Sequence, residues 1–467
     1  MQRHWREVMR GTVTSVARPR GSERGRKFVK SRVVVLAAAI AALASFVPGL
    51  SSSSLAQTAG KSAAVTNVTW WTMWSGASLI PVNKMVSQFN KTHSTIHVTE
   101  LNIPSTTGDA KLLSSVAAGD PPDVFTEWNA TLGEFAHDGA ILPLDQYLTG
   151  PLAGLKKWEY PAAVQGGTYN GKLYAIPQAM NSWALYYNKS MLKSIGVSTP
   201  PTTLAEFQAD QAKEWQISNG RLDQYGFYPY SVSGVWLSYY LPFFGGANCF
   251  SGTKYDLEHC KGAQAAAAWT ASYGKYPYSL VVGMQSAYGN VAGGGEDPFS
   301  MGKAGFEMEG PWIGSSYIPS ANPAMADNFG VIPFPATGQI PPGGTLGQGN
   351  YDIVPKGSKH PAAAVQFMAW LAGYGNTQYM ASIDTSGGWI PASPVVTNSA
   401  PYQAYVHKYP WMKTFLQVVS SKYTETPNLT PTQSAYYTAC QVATQELLTN
   451  KMTPQKALQY IDKQGNG

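Results

Sequence analysis

Charge is what this 467-residue chain has little of: Lys, Arg, Asp and Glu make up 13% of it, about half the usual share for a soluble domain. The formal net charge of +6 does not point to nucleic acid. Residues 1–32 alone hold ten Lys or Arg against Glu7 and Glu23, which leaves about −2 for everything after Arg32. A chain without a basic stripe in its body has no footprint for nucleic acid. No run after residue 56 reaches the 18 apolar residues of a membrane span. No G-x-S-x-G, H-E-x-x-H or Walker sequence occurs, so none of those catalytic devices is available. Gly347-Gln348-Gly349 lacks the third glycine and the following helix of a dinucleotide loop. His93 and His97 straddle a predicted helix-to-strand turn, so their spacing does not make a metal pair. Neither a cofactor nor a metal is expected.

What stands at the N-terminus is a basic segment followed by Val33 to Val47, a 15-residue Ala-rich apolar run. That run is short for a membrane span and suits an export signal. Ser54-Leu55-Ala56 has the small-residue pattern of a signal-peptidase site, which predicts a signal peptide over 1–56 and a mature start near Gln57. An uncleaved anchor is the alternative, and the long basic segment leaves open a start at Met9. No cysteine lies near the cleavage site, so a lipoprotein is not expected, and the absence of twin arginines favours general secretion. Export makes a disulfide between Cys249 and Cys260 the reading of two cysteines that bracket a Ser-Gly turn. A metal site of Cys249, His259 and Cys260 is the weaker alternative. Cys440 lies on an apolar helical face with Tyr436, Ala443 and Leu447 and reads as a buried free thiol. Low charge also suggests an acidic exterior, where few carboxylates need to stay ionised.

The length suggests two to three domains. Asn67 to Met73 reads as a strand, Leu79 to Phe89 as a helix, His97 to Leu101 as a strand, and a helix through Leu112 and Val116 precedes the strand Asp123 to Thr126. This βαβαβ order predicts a parallel sheet, with ligands beyond the carboxyl ends of its strands. Those ends are Trp74-Ser75-Gly76 and Glu127-Trp128-Asn129. From Ser182 to Tyr317 the clear stretches are helical. Near Asn328 strand character returns, Pro361 to Leu371 is a strong helix, and a Gly-Gly-Trp-Ile-Pro connector at 387–391 precedes a helical C-terminus.

GDPPDVFTEW with FAHDGAILPLDQYL, then GKLYAIPQAMNSWALYYNKSML, FSMGKAGFEMEGPW, NFGVIPFP and TPQKALQYID follow one another across Asn67 to Ile461. In that order they resemble the signature of bacterial ABC-transporter extracellular solute-binding proteins of the maltodextrin and multiple-sugar type. The resemblance implies an α/β fold of two discontinuous lobes, 65–179 with 330–388 and 180–329 with 389–467. Three crossings join them, near Ala179-Met180, near Gly330-Val331 and at Gly388 to Ala392. It also implies a monomer at the extracellular face of the cytoplasmic membrane or in the periplasm that passes an oligosaccharide to membrane permease subunits.

A sugar site needs aromatic platforms for C–H faces and neutral or acidic groups for hydroxyls. Trp74, Glu127, Trp128, Asn181, Glu309, Trp312 and Trp389 stand at the motif positions that line the family's cleft, with Trp236 and Tyr437 as further candidates. Trp70, Trp71, Trp183 and Trp370 lie inside regular elements and read as core. Trp312 and Trp389 each follow a Gly-containing break that is expected to expose them as stacking walls. Glu127 and Glu309 have a salt bridge or helix cap as their alternative. A secreted carbohydrate-active enzyme with Glu127 and Glu309 as acid and base is the competing class, but carboxylates on opposite lobes are poorly preorganised, so no enzyme is expected. A glycerol-phosphate ligand needs Arg or Lys at the strand ends, where none stands.

Overall fold

The computed structural model describes residues 64–74, 79–128, 130–230, 236–288 and 297–467. The predicted signal segment, and Ser75, Gly76 and Asn129 of the two strand ends, lie outside these. Alternation of apolar and polar residues builds β1 (Thr66–Thr72), in which Val68, Trp70 and Thr72 point inward. Helix α1 (Leu79–Thr92) buries Pro81, Val82, Met85 and Phe89 on one face. Strand β2 (Ile96–Asn102), α2 (Gly108–Ala118) and β3 (Val124–Glu127) complete the predicted βαβαβ unit. β1 lies between β2 and β3 and is parallel to both.

The sheet then becomes mixed. Strand β4 (Ala175–Asn181) and β8 (Gln348–Ile353) enter it in the order β9-β4-β8-β3-β1-β2, where β9 is Ile390–Pro391. β8 runs antiparallel to both neighbours, and β9 antiparallel to β4. A second sheet is formed by β5 (Ala184–Asn188) between β6 (Phe306–Glu309) and β7 (Phe329–Ile332), all antiparallel. The chain leaves the large sheet through Ser182-Trp183 and returns between Pro333 and Gly347. Gly330 and Val331 are not at that passage, because they pair with Tyr187 and Tyr186 inside the small sheet.

Two large cores follow these sheets. One gathers Trp70, Phe89, Phe367 and Trp370 behind the large sheet, beneath α4 (Pro361–Leu371). The other gathers Tyr186, Phe207, Phe227, Tyr240, Trp269 and Tyr273 around the small sheet. Trp70, Trp183 and Trp370 are core as expected; Trp71 is half-buried beneath the Lys111 ammonium. Among the described residues no helix is long and apolar enough to cross a membrane.

Cys249 and Cys260 are disulfide-linked around a short hairpin, Phe250–Ser251 with Lys254–Tyr255, and Cys440 is a free thiol buried in α6 (Gln433–Leu448). Denaturing thiol titration should count one reactive group, and a count of three would contradict this pairing. Reduction should cost about 3 kcal/mol of stability, as a loop of this length implies.

Candidate functional site

The carboxyl ends of β1, β3 and β4 lie at one edge of the large sheet with the amino end of the antiparallel β8. Asn181, the last residue of β4, pairs with Gln348, the first of β8, and Glu127 pairs with Tyr351. At the same edge β9 sets Ile390 against Met180, which places Trp389 beside the ends of the other strands. The small sheet begins three residues beyond Asn181, and Glu309 at the end of β6 pairs with Ala184 at the start of β5. Both sheets therefore turn toward the Ser182-Trp183 passage.

Aromatic rings connect these ends. Trp128 meets Trp74 edge-on with centroids 6.2 Å apart, and Trp74 stacks on Trp389 at 4.9 Å and 28°. On the other side Trp312 meets Trp183 at 5.4 Å and 89°, and Trp183 meets Tyr239 at 5.0 Å and 82°. Gly388 closes the gap: a Cβ there would lie 3.1 Å from Trp312 Cα. Trp236 stands one turn before Tyr239, whose N–H donates to the Trp236 carbonyl at 2.9 Å.

The row is held from behind. The Thr345 hydroxyl accepts from the Trp183 N–H at 2.9 Å and donates to its carbonyl at 2.8 Å. Gln348 Nε2 donates to the Tyr437 hydroxyl at 3.5 Å, and burial pushes that phenol up to about 12. The Asn102 amide donates to the Trp74 carbonyl. The indole Nε1 atoms of Trp74, Trp183 and Trp236 are closed to water and have no hydrogen-bond partner among the described residues.

The structure differs from the sequence expectation for Trp389, while Trp312 keeps part of its surface exposed. Trp389 is only 5% exposed. Helix α5 (Thr377–Gly387) ends in a left-handed cap at Gly388 (φ 71°), with the Trp389 N–H bonded to the Asp384 carbonyl at 2.9 Å. Such a cap folds the next side chain back onto its own helix, and the indole lies on Gly387, where a Cβ would approach it to 2.7 Å. Gly310 likewise seats Trp312: a Cβ there would sit 2.0 Å from the indole. Each glycine thus serves as a platform that covers the ring, and Trp128, at 40% exposure, presents the open indole face.

The two acids are also internal. Glu127 Oε1 accepts from the N–H groups of Ala130 and Thr131 at 3.0 and 3.1 Å and from the Thr131 hydroxyl at 3.0 Å. It thereby caps the start of α3 (Leu132–His137). Glu309 accepts from the Gly310 N–H at 2.7 Å, and burial pushes its carboxyl up to about 8. Sequence reasoning missed Trp183, Tyr239 and Gln348 as members of the edge. The Asn-Ser-Trp break between two strand patterns was the available signal for Trp183. What the arrangement offers chemically is flat apolar rings, indole donors, amides and phenols, with no lysine or arginine among the residues named.

The sequence pattern described as bacterial extracellular solute-binding protein matches residues 84–410. Among curated proteins, the chain is 32% identical over 132 residues to the maltotriose-binding protein of Pyrococcus abyssi, covering 28% of this chain and 26% of that one. It is 29% identical over 227 residues to a probable ABC transporter-binding protein of Deinococcus radiodurans, covering 46% and 51%. It is 26% identical over 225 residues to an sn-glycerol-3-phosphate-binding periplasmic protein of Brucella abortus, covering 44% and 49%. These alignments thus span from about a quarter to half of each relative's length. Among solved structures, CpMnBP1 with mannotriose bound superposes with a TM-score of 0.74 at 28% identity, covering 86% of this chain and 100% of that one. The sugar-binding protein MalE of Xanthomonas citri shares the fold, with a TM-score of 0.69 at 19% identity over 86% of this chain and 96% of that one. With the family pattern spanning most of the chain and the two-sheet architecture shared with sugar-binding structures, this protein belongs to the bacterial extracellular solute-binding protein family.

Proposed function

We propose that this protein captures a neutral oligosaccharide between two lobes, one built on the large sheet and the other on the small sheet, and delivers it to an ABC permease. Residues 1–56 direct export and are removed, and the mature protein acts as a monomer outside the cytoplasmic membrane, without lipid and without chemistry on its ligand. The observation that carries this reading is the tryptophan row at the edge where both sheets end, with Trp128 open at its end. Sugar rings offer C–H faces to such rings. The mannotriose complex of the 28% identical relative supports a saccharide as the ligand class.

Within the site, Trp128 supplies the open stacking face and Trp74 is held behind it by Trp389. Trp312, Asn181, Trp236 and Tyr437 surround the remaining ligand, and Glu127 and Glu309 hold the loops on which the rings stand. Replacing Trp128 with Ala should weaken mannotriose binding by about 2 kcal/mol, roughly 30-fold in Kd. Its exposure means the unfolding free energy should stay within about 0.5 kcal/mol of the parent. Calorimetric titration of both proteins checks this, and unchanged affinity would remove Trp128 from the site. Incubation with α- and β-linked trisaccharides should release no reducing ends above background; catalytic release would favour the enzyme reading.

A further inference from the structure

Beside the large-sheet core lies a groove of about 700 Å³ at the start of α5, the end of that helix opposite the cap that seats Trp389. Trp158 and Tyr374 meet edge to face with centroids 5.2 Å apart, and Tyr379 also lines the groove. Gly375, Asn376, Thr377 and Gln378, at the start of α5, complete the lining. Beyond Tyr379 a second hollow of about 460 Å³ continues along α1, and the Tyr379 hydroxyl donates to the Lys84 carbonyl at the junction.

We propose that this groove is a second saccharide site, taking a neutral oligosaccharide along the outer face of α5 independently of the cleft. The first hollow has no charged side chain in its lining, which disfavours an anion or a cation. Its size falls in the range of small-molecule sites. Trp158, Tyr374 and Tyr379 provide ring platforms, while the exposed Gln378 amide provides a donor and an acceptor for hydroxyls. Two hollows in line suit a ligand made of linked rings. The shallow form of the groove leaves one ligand face in water, so the affinity is weak, with a Kd of roughly 1–10 mM.

The test uses the whole mature protein with ¹⁵N-labelled indoles and mannotriose as the probe, with the Trp158 resonance assigned through Trp158→Phe. The Trp158 Nε1–H signal should shift saturably over a range up to about 50 mM, well past the expected constant. It should do so equally in the parent and in Trp128→Ala, and the shift should vanish in Thr377→Arg and in Gln378→Arg, two substitutions at the groove surface that leave the core intact. A Trp158 signal that stays still while the Trp74 and Trp128 signals move would overturn the groove and leave the cleft standing. A shift that persists unchanged in both arginine variants would overturn it as well. Failure of the cleft reading shows separately, as absence of any effect on Trp74 and Trp128.

Discussion

Replacing Trp389 with Ala is expected to lower the unfolding free energy by about 3–5 kcal/mol in the absence of any ligand, the range for a large aromatic removed from a core. The ring is 5% exposed, stacks on Trp74 and rests on Gly387, so its loss opens a cavity between the end of α5 and the strand ends. The Trp389 carbonyl also accepts from the buried Tyr402 hydroxyl at 2.9 Å, a bond that depends on the backbone staying where the cap at Gly388 puts it. Urea unfolding of the variant measures the effect. Parent-like stability with lost saccharide binding would make Trp389 a ligand wall, as its sequence context suggests.

Stability is expected to be highest near pH 5 and to fall, with a marked drop in Tm, between pH 5 and pH 8. The cause is a set of buried carboxyl groups without cationic neighbours. Burial, with the Asp210 charge nearby, pushes Glu214 up to about 8, and neither of its oxygens has a hydrogen-bond partner. Burial also holds Glu309 at about 8. Asp352 is pushed up to about 7 by burial despite the hydrogen bond it accepts from Thr126 at 2.7 Å. Glu159, Glu307 and Asp384 are raised well above the ordinary range for the same reason, and no lysine, arginine or histidine is among the buried residues.

In the unfolded chain these acids ionise near their ordinary values, while the native state keeps them protonated up to the raised ones. Between the two values the native state holds more protons, so each group makes stability fall as pH rises, by about 1.4 kcal/mol per pH unit, until the folded value is passed. Glu206 acts in the opposite sense: the N–H groups of Thr202 and Thr203 hold its capping carboxylate low, and that contribution fades only as pH drops below 4.5. Thermal unfolding from pH 4 to pH 9 checks the shape, and a Tm that climbs from pH 5 to pH 8 would refute it. An acidic exterior is also what the scarcity of charge suggests, but the structure supplies a different cause. Carboxylates that need ionisation are few, and several buried ones need their protons.

The first half of the large sheet was legible because its signals are local. The alternation in NVTWWTM, the apolar spacing of Leu79 to Phe89 and the Gly119 stop each act within a turn or a strand, and the helix Pro361–Leu371 has the bounds its pattern predicts. The antiparallel entry of β8 was not, since its register depends on partners such as Thr126 and Asp352, 226 residues apart, joined beneath the Trp70 indole. The strand-end positions of the candidate site followed from motif order. The direction in which the rings face did not: a glycine before a tryptophan reads as a break, and only the folded chain shows Gly310 and Gly387 as surfaces on which the rings lie. Glu127 was ambiguous for a similar reason. Its capping partners at 130 and 131 are near in sequence, yet the cap exists only because β3 ends where α3 must begin.

The central claim is that the tryptophan row receives a neutral saccharide. The most direct measurement is the thermal midpoint of the mature protein at pH 6, with mannotriose, maltotriose and sn-glycerol 3-phosphate in turn, each at low and at 0.5 M salt. A ligand present at about 100 times its Kd stabilises the folded state by about 2.7 kcal/mol. The account predicts such a rise for at least one trisaccharide, nearly unchanged by salt, and none for glycerol phosphate. A salt-sensitive rise with glycerol phosphate, and none with either saccharide, would contradict it.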